Sequence, residues 1–410
     1  MATSPTRASI TAEDVRRAWV AIADVAKHTP VLPSITLSQR LGGEVALKAE
    51  SLQRTGSFKV RGALNKLAAL GDACANGVTA GSAGNHAWAL AQAAQVRGVP
   101  CEVFMPAEAP LSKGEGCSAL GAVVHLGGAS VEECVAAAKA RAREAGMVFV
   151  HPFDDPDVIA GQGTLGLELL DDVPDLAKVV VPVGGGGLAS GVAIAVKSAR
   201  PDVEIVGVQV ESAAAYPESL RRGEPVEVAA GLTIADGIAV KRPGELTLEL
   251  IRQWLDDVVV VPEDDVAEAM VLLMEKAKLV VEGAGAVGVA ALLGEQTAPA
   301  ARGTTVVVLS GGNVDAGLLA SIARRHESEA GRRLVVFTRV PDRPGSLARL
   351  LALVGEAGAN LVDVEHLREG IDLHVRETAV QLVLETRGRD HADDVLAQLR
   401  AAGYEARVVR

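Results

Sequence analysis

The segment KVVVPVGGGGLASGVAIAVKSA, Lys178–Ala199, decides the fold. Val179–Val181 is continuously apolar rather than alternating, the pattern of a strand buried on both faces. Leu188–Ala199 has helical spacing, and Gly184–Gly187 joins the two. Working outward, short Val-rich runs alternate with longer Ala- and Leu-rich ones. Val45–Lys48, Glu102–Met105, Val123–Leu126, Val148–Val150, Lys178–Pro182, Val203–Gln209, Asp257–Val261 and Thr305–Ser310 read as strands. Phe58–Leu70, His86–Arg97, Val131–Ala145, Gly161–Asp171, Leu188–Ala199 and Asp264–Lys276 read as helices. This alternation predicts an α/β fold, a parallel sheet covered on both faces. Past a polar, linker-like stretch at His326–Arg333 (HESEAGRR) the grammar changes. Leu334–Val340, Asn360–Leu367, Ala379–Glu385 and Glu405–Val409 read as strands, Gly345–Glu356 and His391–Ala402 as helices. That βαββαβ order predicts a small α+β sandwich.

Composition narrows the function classes. The 410 residues exceed one ordinary core, so two or three structural units are expected. Forty Lys+Arg against 52 Asp+Glu give a net charge of −12, opposite to a DNA-binding module. Residues 331–410 hold 12 Arg against 12 Asp+Glu, so the whole deficit lies in residues 1–330. Mean hydropathy is +0.25, yet no apolar run reaches the roughly 18 residues of a membrane span. Cys74, Cys101, Cys117 and Cys134 form no CxxC pair, and no signal-peptide pattern opens the chain. Reduced thiols, a cytoplasmic location and no nucleic-acid or membrane partner are expected.

Four segments carry chemistry, each where a strand ends or a helix begins, the place where open parallel sheets bind ligands. In Ser51–Gly62 (SLQRTGSFKVRG), Ser57 suits a helix N-cap and Lys59 falls in the first turn. The macrodipole disfavours a cation there and would depress its pKa, as a Schiff-base lysine needs; a solvated helix-face lysine is the plainer reading. In Thr79–Ala87 (TAGSAGNHA), small residues let amides approach an anion such as a carboxylate; the plain alternative is a tight turn capped by Asn85. Four consecutive glycines at Gly184–Gly187 cost chain entropy and suit amides wrapped round a phosphate. Gly184, Gly186 and Ala189 also fit G-x-G-x-x-A, with Glu211 following, which leaves a nicotinamide-dependent oxidoreductase open. In Val306–Asn313 (VVVLSGGN), a strand presents the Ser310 hydroxyl at its end. Together these are the parts of a pyridoxal phosphate site: imine lysine, carboxylate cradle, phosphate cup and partner for the pyridine nitrogen.

The motifs S-F-K-V-R-G-A, S-A-G-N-H-A, V-G-G-G-G-L, T-I-A-D-G-I-A-V-K-R-P-G and L-S-G-G-N-V-D resemble, in order and separation, those of threonine ammonia-lyases. These belong to the tryptophan-synthase-β-like (fold type II) enzymes of pyridoxal 5'-phosphate. The resemblance covers roughly residues 10–325 and implies a two-subdomain parallel-sheet unit over 1–325. Residues 50–150 or so would contribute a smaller mobile subdomain, 326–333 a linker and 334–410 a separate domain. It implies that Lys59 holds the cofactor, Phe58 packs on its ring and Asn85 bonds its phenolic oxygen. Gly184, Gly185, Gly186, Gly187 and Leu188 would bind the phosphate, and Ser310 would face the pyridine nitrogen. Ser82, Ala83, Gly84, Asn85 and His86 would cradle the substrate carboxylate, with Gly237 and Glu282 lining the pocket. The implied reaction turns L-threonine, and L-serine as well, into a 2-oxo acid and ammonia.

Relatives leave a serine-preferring dehydratase open. Serine racemases place a second serine in the anion-binding turn, where this chain has Ala83. Metal-dependent relatives place carboxylates where Gln209 and Ala215 stand, so no metal is expected. Residues 334–410 resemble an ACT domain through V-P-D-R-P-G-S-L and G-A-N-L-V-D. That implies a branched-chain amino-acid effector held near Asp342, Gly345 and Asn360, or else a ligand-free dimerisation module. The fold family implies a homodimer or homotetramer.

Overall fold

The computed structural model describes residues 10–109, 111–368 and 374–409. The chain divides into two compact units, Met1–Val314 and Asp315–Arg410. Among its described residues the first holds ten strands: Val31–Pro33 (β1), Val45–Ala49 (β2), Val78–Gly81 (β3), Cys101–Met105 (β4), Val123–Leu126 (β5), Val148–Phe149 (β6), Leu176–Pro182 (β7), Glu204–Val210 (β8), Asp257–Val261 (β9) and Thr304–Leu309 (β10). Six make a sheet of order β1-β2-β10-β7-β8-β9, parallel except for β1. Four make a second, parallel sheet of order β5-β4-β3-β6. Each sheet has its own core. Val179, Val181, Val306 and Val308 meet Leu188, Val192 and Val196 of the helix Gly187–Ala199 around the larger sheet. Val60, Leu64 and Leu67 of the helix Lys59–Leu70 join Val78, Leu90 and Val103 around the smaller.

Among the described residues, two strands and seven helices depart from the sequence reading. β1 has three residues and ends in proline, and β3 (VTAG) resembles a turn. β3 is small-residued because the helix Val131–Ala145 lies on it: a Cβ on Gly81 would stand 2.3 Å from Val135 N. The unread helices are Ala12–Ile22, Ile35–Leu41, Leu111–Ala119, Tyr216–Arg222, Glu245–Trp254, Gly283–Leu293 and, in the second unit, Ala316–Glu329. Gly283–Leu293 is nearly all buried, so its sequence shows no polar face and no helical period. The helix expected from Gly161 begins at Pro156, behind Asp155, whose side chain accepts from the amides of Asp157 and Val158.

The second unit begins with the helix Ala316–Glu329, followed by Arg333–Pro341 (β11), Asn360–Leu367 (β12), Glu377–Glu385 (β13) and Arg407–Val408 (β14). They form an antiparallel sheet of order β12-β13-β11-β14. The helices Ser346–Glu356 and Arg389–Ala401 cover its core of Leu334, Val336, Leu382, Val395 and Leu399. The expected linker at 326–333 requires correction. His326–Glu329 continue a helix, and the chain divides after Val314. The polarity read as a loop is a solvated helical face, with Arg325 paired to Glu329 one turn on.

Candidate active site

The carboxyl ends of β7 and β10 open onto one narrow cavity. Phe58, Lys59, Asn85, Gly184–Gly187, Leu188, Gly237, Glu282 and Ser310 all line it, so residues from five separate motifs converge. Pro152, Phe153, Gln162, Pro182, Ile238 and Ala284 complete the wall.

Lys59 stands at the first position of its helix, as its spacing predicts, but the cap differs. Phe58 occupies the cap position without a side-chain hydrogen bond, and Ser57 lies in an isolated antiparallel bridge to Gly311. Pairing with that stretch takes Ser57 out of cap geometry and leaves its buried Oγ without a partner among the described residues. Lys59 Nζ donates to the carbonyl of Pro152 at 3.0 Å. Its pKa falls to about 8, chiefly because burial disfavours the ammonium, while Glu282 opposes the shift. The cause is burial, where the sequence suggests the helix macrodipole.

The glycine loop admits no side chains. A Cβ on Gly185 would stand 2.2 Å from the Phe153 ring, and one on Gly187 2.9 Å from Phe153 O. Gly186, at φ +92, would meet Tyr216 Oη at 2.1 Å. Among the described residues, the amides of 184–189 have no protein acceptor, although most of this segment is buried. Six amides at a helix start form an anion site without any charged side chain.

Asn85 sits in a chain of amides. Its Nδ2 donates to Glu282 Oε1 at 2.7 Å, and its Oδ1 accepts from Asn313 Nδ2 at 2.8 Å. Asn313 Nδ2 also donates to the carbonyl of Thr55. Burial pushes the Glu282 carboxyl up to about 7, with Asp236 adding to the shift and Asn85 and Lys113 opposing it. Asn313 received no role from sequence, although its place three residues after Ser310 in the same motif was the available signal. Phe153, Pro152 and Gln162 carried no local signal at all.

The turn before Asn85 is only partly brought in. Ser82, Ala83, Gly84 and His86 are not among the cavity-lining residues. Ser82 Oγ accepts from Gly84 N at 3.2 Å, within the turn itself. His86 is buried and its Nε2 donates to the carbonyl of Val150 at 3.0 Å. Burial lowers its pKa to about 3, so the ring is neutral and serves packing. Gln209 is likewise a structural residue: it donates to the carbonyls of Val183 and Ala213 and accepts from Tyr216 N. Among the described residues no three His, Cys, Asp or Glu side chains converge on a metal position.

In the second unit, Asp342 pairs with Arg368 through two 3.0 Å contacts, and Asn360 donates to Glu385 Oε2 at 2.9 Å. Gly345, at φ +83, precedes the helix Ser346–Glu356.

A family model described as pyridoxal-phosphate dependent enzyme matches residues 22–311, and one described as ACT domain matches 334–403. An L-threonine ammonia-lyase of Thermotoga maritima is 46% identical over 98% of this chain and 100% of its own. Among solved structures, a threonine deaminase from T.th. aligns with a TM-score of 0.70 and 41% identity, covering 74% of this chain and 99% of that one. A maize serine racemase aligns with a TM-score of 0.73 and 35% identity, covering 78% and 98%. These matches displace the dinucleotide reading of Gly184–Ala189.

The residues present fit pyridoxal phosphate. The unpartnered amides of 184–189 suit its phosphate, and the Ser310 hydroxyl, without a protein partner among the described residues, faces the same cavity as Lys59. With cavity, donors and comparisons in agreement, the chain belongs to the pyridoxal-phosphate-dependent enzymes and carries a C-terminal ACT domain.

Proposed function

We propose that the chain is an L-threonine ammonia-lyase that converts L-threonine to 2-oxobutanoate and ammonia and also accepts L-serine. The observation that carries this reading is near-full-length likeness to proteins of that name, joined to a cavity that unites Lys59, the glycine cup and Ser310. Bound pyridoxal phosphate supplies an electron-withdrawing ring that accepts the electron pair left when Cα loses its proton.

Lys59 is the residue that would hold the cofactor covalently, and its free amine would take the α-proton. A pKa near 8 leaves part of the amine neutral at physiological pH, as nucleophile and base both require. Gly184–Leu188 bind the phosphate through main-chain amides. Asn85, fixed by Glu282 and Asn313, orients the ring oxygen, and the turn Ser82–His86, where the Ala83 and Asn85 amides have no acceptor among the described residues, cradles the substrate carboxylate. Ser310 donates a hydrogen bond but no charge, so it cannot hold the pyridine nitrogen protonated and leaves the Cα electron pair weakly stabilised. Prompt loss of a β-hydroxyl suits that setting. The pair forms the Cα–Cβ double bond, the Cβ–O bond breaks, and the oxygen leaves as hydroxide, which becomes water with one proton, balancing the one Lys59 took from Cα. The released enamine tautomerises and hydrolyses to the oxo acid and ammonia. Inversion would need a second acid/base group on the opposite face, where Ala83 has none.

The ACT domain is the regulatory element: it takes a branched-chain amino acid, placing the enzyme in isoleucine biosynthesis as a cytoplasmic homodimer or homotetramer. The decisive experiment treats the cofactor-loaded protein with borohydride and then threonine. Lys59→Ala abolishes turnover and the visible absorbance of the lysine-bound cofactor. Retained turnover in that variant refutes the assignment. Isoleucine and valine are tested by activity and thermal shift, and no response to either refutes the regulatory reading.

A further inference from the structure

Arg61 lies two residues beyond Lys59 and is only 1% exposed. All five of its N–H donors are engaged. Nε and Nη2 grip Glu50 at 2.8 Å each, Nη1 reaches Glu168 at 2.6 Å and Thr164 at 3.3 Å, and Nη2 also meets the carbonyl of Lys27 at 3.2 Å. Glu168 in turn pairs with Lys48 at 2.6 Å, and Lys48 with Asp172 at 3.2 Å. Lys48, Glu50 and Glu168 are equally buried.

Such a cluster is poor evidence for stability. Desolvating four charges costs several kcal/mol per ion, and apolar groups of equal volume commonly serve as well. What it does provide is position. Arg61 belongs to a helix whose neighbours Val60, Leu64 and Leu67 pack in the core of the smaller sheet. Glu50 directly follows β2 of the larger sheet, and Glu168 lies on the helix Pro156–Asp172, whose Leu165 and Leu169 pack in the larger core. The guanidinium thus spans the joint between the two cores. The same turn has no slack: Gly62 N donates to Gln162 Oε1 at 3.1 Å, and a Cβ on Gly161 would lie 2.7 Å from Arg61 O.

Lys59 is held at its tip by a single hydrogen bond, to the Pro152 carbonyl. No side chain caps its helix, and its flexible stem leaves the position of Nζ to wherever the first turn lies. Two residues along a helix turn the side chain through roughly 200°, so Arg61 can grip the joint while Lys59 faces the cavity. We propose that Arg61, through Glu50 and Glu168, is a positioning residue that sets where Lys59 meets cofactor and substrate across the joint between the two sheets. The inference rests on the ammonia-lyase reading only for its kinetic readout.

The test compares holoenzyme carrying Arg61→Lys, Arg61→Met or Glu168→Gln with Val271→Ala, a buried change on the helix Glu263–Leu272. Measured are kcat and KM for threonine, the cofactor dissociation constant, the pH midpoint of the lysine-bound cofactor's absorbance, and the thermal midpoint. Misplacing a reacting group by about an ångström costs up to about 100-fold, so Arg61→Met lowers kcat by about 10- to 100-fold with KM little changed. It also shifts the absorbance midpoint, which Val271→Ala does not. Arg61→Lys and Glu168→Gln move the same readouts less and remain measurable if Arg61→Met fails to fold. Unchanged kcat and absorbance midpoint in all folded Arg61 and Glu168 variants, or changes matched by Val271→Ala at equal thermal midpoint, overturn the proposal. If the unsubstituted chain does not turn over threonine, the functional reading fails, while cofactor affinity and the absorbance titration still decide the role of Arg61.

Discussion

Gly186→Ala isolates the glycine cup in one atom. Gly186 sits at φ +92, where a residue with a Cβ loses about 1–2 kcal/mol. The new methyl would stand 2.1 Å from Tyr216 Oη, 2.9 Å from Ile251 Cδ1 and 3.0 Å from Thr247 Cβ. The first of these is more than an ångström inside ordinary contact. Tyr216 cannot swing aside, because it is fully buried among Leu248 and Ile251 and donates to the Gly185 carbonyl at 3.1 Å. Overpacking of this kind costs about 1–3 kcal/mol, and losing the Tyr216 hydrogen bond about 1 kcal/mol more. The expected destabilisation is about 3–6 kcal/mol, with cofactor affinity falling as the amides of 184–189 are displaced. Gly223→Ala is the control: φ is +74, yet the nearest atom to a new Cβ is Arg252 Nη1 at 3.8 Å, so only the backbone cost of about 1–2 kcal/mol applies. Thermal unfolding by circular dichroism and cofactor titration by fluorescence give both quantities. A Gly186→Ala protein no less stable than Gly223→Ala, with unchanged cofactor affinity, refutes the reasoning.

Three further outcomes follow from burial. Glu282 rises in the fold from the ordinary value of 4.5 to about 7, so the native state holds its proton longer than the unfolded chain. Its contribution therefore turns unfavourable as pH climbs from 4.5 to 7, reaching about 3 kcal/mol above that. Glu282→Gln keeps the contact to Asn85 and removes this loss, so the thermal midpoint of variant minus wild-type apoprotein rises between pH 5 and about 7.5; a flat difference contradicts the assignment. For Lys59, capture of pyridoxal phosphate by the apoprotein accelerates as pH passes about 8, and Glu282→Gln moves that inflection lower by removing the anion that favours the ammonium. An inflection left near the free-lysine value contradicts the burial argument. Cys74, Cys101, Cys117 and Cys134 are all buried, and burial pushes the Cys101 and Cys117 thiols up to about 12. A disulfide reagent should leave all four untouched in native protein and modify all four in urea, and rapid native labelling would contradict their placement.

The limits of sequence reading follow from where each signal resides. Lys59, Asn85, Gly184–Gly187 and Ser310 were legible because each belongs to a contiguous motif at a strand end or helix start, and an open parallel sheet delivers such points to one edge. Ser57 was misread because a cap is a local pattern, whereas its bridge to Gly311 pairs it with a strand end far along the chain. Phe153 was illegible for the opposite reason: nothing local marks it, yet its ring fills the space that the Gly185 hydrogen leaves. The helix Gly283–Leu293 shows the same limit in secondary structure, since a segment buried all round has no period to read. At His326–Glu329 composition misleads, because dense charge looks like a loop but marks a solvated helical face.

The uneven charge poses a last question, since a chain of net −12 must capture a phosphate and a carboxylate. Lys59 is the one basic side chain among the described residues lining the cavity, and it is committed to the reactive end. On the proposed reading the phosphate is held by the amides of 184–189, whose fields act over a few ångströms and lie buried from mobile ions. Charge-driven capture behaves differently: the screening length falls from about 10 Å at 0.1 M salt to about 3 Å at 1 M, and surface attraction collapses with it. Cofactor affinity should then stay within about threefold as sodium chloride rises from 0.05 to 0.5 M, because the donors are dipoles within contact range. Inorganic phosphate, which fits the same amides, should compete where chloride does not. A cofactor dissociation constant that climbs steeply with chloride would show that long-range charge, not the glycine cup, holds the phosphate.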